Sequence, residues 1–203
     1  MNVAPENVSG EPVPSRFELE LPAWVAPWLA ERPDVFASDE DRVGLVVELA
    51  RHHVECRTGG PFAAAIFERS SGRLIAAAVN LVVPSSACIA HAEMVAFALA
   101  GQRLGSFDLG ATSPTALVAS TEPCAMCLGA IPWSGVSQVV YSACDEDARA
   151  IGFDEGHKPP DVIAHLAARG IDVVRGVERA AGRAVLNRYA ELDGHVYNGT
   201  GAG

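Results

Sequence analysis

Long apolar runs are missing from this sequence. No eighteen consecutive residues could cross a bilayer, and the nearest stretch, "FAAAIF", gives way within a few positions to Glu68 and Arg69. Also missing is any stripe of Lys and Arg that could neutralise several phosphates. The net charge is -10 and the isoelectric point about 5.0, which argues against a long nucleic acid as partner and against a polyanionic substrate. The opening "MNVAPENVSGEPVPSRFELE" has neither the basic start nor the apolar stretch of a secretory leader. A chain that stays in the reducing cytoplasm is expected, with its cysteines unpaired and no membrane contact. Internal repeats are absent, as is any linker that would divide the body.

What is present suits one soluble domain. The length of 203 residues favours a single core, and hydrophobic and charged fractions of 49% and 20% are those of globular chains rather than disordered or membrane ones. Residues 1–20, rich in Pro, Glu, Ser and Gly, predict a mobile tail, and residues 21–193 a single domain with an N-terminal helical extension. Residues 194–203, "GHVYNGTGAG", predict a loose C-terminal end.

Periodicity supplies the elements. Trp24, Val25, Trp28 and Leu29 recur at helical spacing, predicting a short amphipathic helix packed on the body. "SDEDRVGLVVELARHHVECR" predicts a longer helix capped by Ser38 or Asp39, with acids in its first turn and an apolar face from Val43 to Ala50. "FAAAIFER" and "RLIAAAVN", joined at Gly72, predict a hairpin whose near-continuous apolarity suits a sheet buried on both faces. Helix "IAHAEMVAFALAGQRLG", strand "TALVAS", helix start "PCAMCLGAIPW" and strand "VSQVVYSA" follow. After a polar loop come helix "PPDVIAHLAARG", strand "IDVVRG" and closing helix "VERAAGRAVLNRYAEL". Strands alternating with helices in this way predict an α/β sheet covered on both faces.

Cys124 and Cys127 stand two residues apart at a helix start. Alone they fit a redox couple or a metal site equally well. Some thirty residues upstream, His91 and Glu93 stand at another helix start, also near a strand end, so both helix starts can open on one edge of the sheet. One imidazole and two thiolates make three ligands, and zinc held by three protein ligands keeps a fourth position for water. Helix N-termini and the ion itself favour the thiolate form. Zinc lowers the pKa of bound water toward about 7, and Glu93, two residues beyond the ligand, is placed to move its proton. That set fits hydrolytic release of an amine by zinc-bound hydroxide.

The paired motifs "HAE" at 91–93 and "PCAMC" at 123–127 resemble the His-x-Glu and Pro-Cys-x-x-Cys signature of zinc nucleobase deaminases. The chain is similar over residues 40–175 to the cytidine deaminase-like superfamily. This resemblance implies a three-layer α/β/α sandwich around a five-stranded mixed sheet, with one zinc per chain on His91, Cys124 and Cys127 and with Glu93 as the catalytic acid and base. "GGPFAAAIF", "CLGAIPW" and "GFDEG" further resemble the bacterial guanine deaminases. That narrower likeness implies guanine as substrate, with xanthine and ammonia as products in purine catabolism. It implies Asn80, Glu155 and Ala92 as substrate contacts, and Phe62, Trp133 and Phe153 as walls. It also implies a homodimer, in which Glu155 can serve its own chain or the neighbour's.

Chemistry supports guanine independently, because its ring N–H groups suit a carboxylate such as Glu155, whereas the pairing edge of adenine offers an unprotonated nitrogen. The alternatives are cytosine, a nucleoside or an aminated triazine or pterin-like ring, then transfer RNA adenosine, a zinc domain that only binds, and a CxxC oxidoreductase. Thr121, Ala125 and Pro132 depart from the usual family pattern, which touches the substrate rather than the metal. His52, His53, His157, His165 and His195 have no ligand spacing to another donor, and Cys56, Cys88 and Cys144 read as small buried hydrophobes.

Overall fold

Local signals of the sequence reappear as structure in the computed structural model, which describes residues 14–199. Helix α1 (Val25–Ala30) is short and drives Val25 into the core. Helix α2 (Asp39–Glu55) starts with a reciprocal cap: Ser38 Oγ accepts from the Asp41 N–H at 3.1 Å, and the Asp41 carboxylate accepts from the Ser38 N–H at 3.1 Å. Asp39, Glu40 and Asp41 also complement the positive end of the helix. One face of α2 carries Val43, Val46, Leu49, Ala50 and Val54, all buried.

Strands β1 (Ala63–Glu68) and β2 (Leu74–Val79) form the expected antiparallel hairpin, turned at Gly72 with φ 72°. β3 (Thr115–Thr121) pairs antiparallel with β1, then parallel with β4 (Gln138–Ala143), which pairs parallel with β5 (Asp172–Arg175). The order β2-β1-β3-β4-β5 is the five-stranded mixed sheet that the family resemblance implies. β1, β3 and β4 are buried along almost their whole length, whereas β5 is an edge with both ends exposed.

Helices α2 and α8 (Arg179–Glu191) cover one face; α4 (Ala92–Leu104), with α5 (Ala125–Ser134) beside it, covers the other. The result is a three-layer α/β/α sandwich. Three further helical pieces complete the chain: α3 (Val82–Ser85), α6 (Asp145–Ala150) and α7 (Val162–Ala168). Helix α6 falls in the segment that reads as a polar loop. It forms because the Asp147 carboxylate accepts from the Cys144 N–H at 2.9 Å and three acids line its first turn. No helix among the described residues is long and apolar enough to cross a membrane.

Of the expectations about the periphery, one falls mostly outside the described residues and two need correction. The mobile-tail reading of residues 1–20 lies largely outside the described residues. The loose C-terminal end does not hold for residues 194–199: Tyr197 packs edge-on against Phe153 at 5.1 Å, and the Asn198 side chain accepts from the Asp154 N–H and donates to the Gly152 carbonyl, both at 2.9 Å. Cys56 and Cys88 are likewise exposed rather than buried, because one caps the end of α2 and the other sits in the loop after α3.

His53, near the end of α2, is fully buried, and burial lowers its pKa to about 4. The folded protein therefore holds a neutral ring, while the unfolded chain takes up a proton below about 6.5. Stability from this residue is complete above pH 6.5 and is lost as pH falls toward 4, by up to about 3 kcal/mol. Thermal unfolding of the wild type should weaken across that window, and His53→Gln should flatten the slope. Equal slopes in the two proteins would remove His53 as the cause.

Candidate active site

Two helix starts build the site. His91 is the N-cap of α4, with extended φ -65° and ψ 152°, and Cys124 is the N-cap of α5, with φ -66° and ψ 172°. An N-cap residue lies just outside the helical spiral, so its side chain is free to project from the helix end. Cys127 follows one turn later, and this i, i+3 spacing stacks it over Cys124. His91 Nδ1 lies 3.4 Å from Cys124 Sγ, and the ligand atoms of His91, Cys124 and Cys127 all fall within 4.8 Å of one another. The sheet thus brings together the three ligand residues that the sequence spacing pairs only within each helix.

Charge explains what the cluster is for. A hydrogen bond from Cys127, joined by the field of His91, holds Cys124 at about 4 despite burial. Cys127 itself is driven far above the usual thiol value by its bond to the Cys124 thiolate, by burial and by Glu93. Burial resists charge on His91, yet its bond to Cys124 and the nearby acids raise its pKa. Glu93, buried in the first turn of α4, is raised by burial and by the Cys124 thiolate. Two sulfurs and a carboxylate crowd one imidazole, so the donor set lacks a positive charge. A divalent ion at the centre supplies it, and one imidazole with two thiolates suits tetrahedral zinc with its fourth position open.

Beside the cluster lies a cavity of about 200 Å³ lined by His91, Glu93 and Cys124 together with Phe62, Asn80, Phe153, Glu155 and Tyr197. Phe62 and Phe153 meet edge-on at 5.0 Å, and Tyr197 extends this aromatic wall. Gly60 makes room for Tyr197, since a Cβ there would lie 2.1 Å from its Oη. Asn80 follows β2, where its Oδ1 accepts from the Val82 N–H at 3.2 Å while its buried Nδ2 has no protein partner. Such a donor must find an acceptor in whatever fills the cavity. Glu155 lies in the cavity of its own chain. Burial pushes its carboxyl up to about 8, opposed by Lys158, whose Nζ is 3.9 Å away. Lys158 also pairs with Glu122 at 3.2 Å and Asp145 at 2.6 Å.

Two sequence-derived substrate residues are elsewhere. Trp133 is 82% exposed and lies outside this cavity, because nine residues of helix carry it about 14 Å along α5 from Cys124. Ala92 is buried in the first turn of α4 and contributes nothing to the cavity wall. Tyr197, Cys88 and Thr121 line the cavity without having been expected there. An aromatic within an otherwise Gly-rich end is the one signal that points to Tyr197.

One zinc per chain is expected in the purified protein by elemental analysis. Cys127→Ser should leave zinc well below stoichiometric and lower the melting temperature, whereas Asn80→Ala should retain full zinc. A wild type free of zinc and unaffected by added zinc would refute the ligand set.

Comparison with known proteins agrees with this geometry. Residues 37–143 match the cytidine and deoxycytidylate deaminase zinc-binding region. The chain is similar to a guanine deaminase of Bacillus subtilis (strain 168), at 41% identity over 109 residues covering 54% of this chain and 67% of the relative. It is also similar to the solved guanine deaminase from Nitrosomonas europaea, at 43% identity and a TM-score of 0.83, covering 89% of this chain and 100% of that one. A further solved structure, in complex with 2,6-diaminopurine, shares 47% identity over 85% of this chain and 93% of that one, with a TM-score of 0.79. With a matched region spanning more than half its length and the three ligand residues gathered at one point, the chain belongs to the cytidine and deoxycytidylate deaminase zinc-binding family.

Proposed function

We propose that this protein is a zinc-dependent guanine aminohydrolase, converting guanine and water to xanthine and ammonia. The observation that carries the reading is the opening of the His91, Cys124, Cys127 cluster, with Glu93 beside it, into a cavity that also holds an unpartnered Asn80 amide and the Glu155 carboxyl. Relatives at 41% and 43% identity that are guanine deaminases support the choice of base, as does the 2-amino purine bound in a further solved structure.

Bound zinc supplies the Lewis acidity that makes water nucleophilic near neutral pH. Glu93 takes one proton of the attacking water and passes it to the ring nitrogen beside the reacting carbon, then takes the remaining proton of the added hydroxyl and gives it to the amine, which leaves as ammonia as the C–N bond breaks and the carbonyl forms. Its burial suits both roles, because a carboxyl with a raised pKa sits nearer the working pH for giving as well as taking. Asn80 Nδ2 donates to a ring acceptor, satisfying the donor that the protein leaves unpaired. Glu155, once ionised, accepts a ring N–H of guanine. Adenine would set a bare nitrogen against that carboxylate, an unmatched contact in a dry site. Phe62, Phe153 and Tyr197 exclude water and hold the flat ring.

The setting follows from the same chemistry. Cys124 and Cys127 must remain reduced to hold an ion, a requirement that a reducing compartment such as the cytoplasm meets. The homodimer implied by the family resemblance is read onto the outer groove of α4 and α5, where Phe97, Phe107 and Trp133 gather and the last two are 92% and 82% exposed.

Metal-replete protein should release ammonia from guanine and not from cytosine or adenine. Glu93→Gln should cut kcat by about 10³-fold with zinc retained. Asn80→Ala and Glu155→Gln should each lower kcat/KM by about 10- to 100-fold. Turnover of cytosine without guanine, or full activity in Glu93→Gln, would overturn the proposal.

A further inference from the structure

His53, set aside at the sequence level, lies in a line of hydrogen bonds that runs from the N-terminal helix to the cavity. Trp24 Nε1 donates to Thr58 Oγ1 at 3.1 Å, Thr58 Oγ1 lies 2.6 Å from His53 Nδ1, and His53 Nε2 lies 2.9 Å from the Asn80 carbonyl oxygen. The direction of every bond is fixed by what each group can do. A carbonyl only accepts, so the proton of the neutral ring must sit on Nε2. Nδ1 is then an acceptor, and the Thr58 hydroxyl must donate to it. The hydroxyl oxygen in turn receives the indole N–H of Trp24, which can only donate. The other tautomer would set a bare Nε2 against the Asn80 carbonyl, two buried acceptors face to face.

Asn80 is the end of this line and is held on every side but one. Its N–H donates to the Phe62 carbonyl at 3.0 Å, its carbonyl receives His53, and its Oδ1 receives the Val82 N–H. Only Nδ2 remains free, and it is the group buried without a partner at the cavity. Gly59 permits the close approach: a Cβ there would lie 2.4 Å from His53 Nε2 and 2.5 Å from the Asn80 oxygen. Trp24 is anchored from outside by its edge-on contact with His52, ring centres 4.6 Å apart. It lies outside residues 37–143, the region shared with the family.

We propose that Trp24, Thr58 and His53 are positioning residues that hold Asn80 in register for the base, so that the N-terminal extension is a working part of the substrate site. This rests on the reading of Asn80 as a base contact. The relay acts on substrate and transition state alike, so its loss should raise KM and spare kcat.

Steady-state kinetics with guanine, zinc content and melting temperature of five variants test it. Thr58→Val keeps the shape and removes the hydroxyl; Trp24→Phe keeps an aromatic ring and removes the N–H. Each should raise KM about three- to tenfold with kcat within about twofold and zinc unchanged, and Thr58→Ser should return KM to the wild-type value. In an Asn80→Ala background Thr58→Val should raise KM no further. Nitrogen NMR of the imidazole should find the Nε2–H form in the wild type. If Asn80→Ala leaves kcat/KM unchanged, the reading of Asn80 itself fails. If Asn80→Ala is impaired while Thr58→Val and Trp24→Phe keep the wild-type KM, the relay is overturned and the base contact stands. An equal KM increase from Thr58→Val with and without Asn80 also overturns it, because the effect would then be general. Should Thr58→Val fail to fold, Trp24→Phe decides by the same KM criterion.

Discussion

Two sulfurs, an imidazole and two carboxyl groups share one buried space, and such a group of donors is stable only around positive charge. The fold provides that charge in layers. The starts of α4 and α5 direct their positive ends at the cluster, Lys158 faces Glu155 from the far side, and the donor set leaves the centre to a divalent ion. The mixed sheet is what makes this convergence possible. An antiparallel hairpin on one side of β3 and parallel strands on the other bring the starts of α4 and α5 to a common edge.

The same arrangement separates the tasks of two acids. Glu93 sits beside the sulfurs, in the first turn of α4, where proton transfer to and from a reacting atom is needed. Glu155 stands against Lys158, which opposes but does not cancel the effect of burial: its carboxyl is still pushed up to about 8, and a ring N–H in contact with it would favour the ionised, hydrogen-bond-accepting form. In the proposed reaction one carboxyl would carry protons and the other would read the base. Neither role needs an unusual backbone conformation: among the described residues the only non-glycine positions with positive φ are Arg57, Ser86, Glu178 and Asp193, all outside the catalytic pair.

The sequence was most legible where chemistry is local. His-x-Glu and Cys-x-x-Cys each fit within one helical turn, and their residue types already imply a metal. The sheet strands were legible because β1, β3 and β4 each carry a continuous apolar run, Ala63–Phe67, Ala116–Ala119 and Val139–Tyr141. Helix α6 was hidden because "DEDARA" is short and polar and has no apolar face to betray a period. Trp133 was misplaced because nearness in sequence to Cys127 says little about which end of a helix faces a cavity. His53 and Tyr197 were passed over for a different reason. Their partners lie far along the chain, His53 against Asn80 and Tyr197 against Phe153, so no short motif can announce them.

The dipeptide Gly59-Gly60 gathers several of these constraints. Gly59 lets His53 approach the Asn80 carbonyl, and Gly60 admits the ring of Tyr197, so one polar wall and one aromatic wall lean on neighbouring residues. Neither glycine has the positive φ that usually explains why glycine is retained, and neither belongs to the zinc cluster. Their value is empty volume. Evolutionary drift at these two positions is therefore closed off in every direction of size, since even one methyl group would push inward on the pocket, and a homologue that carries alanine there must have remodelled the wall opposite.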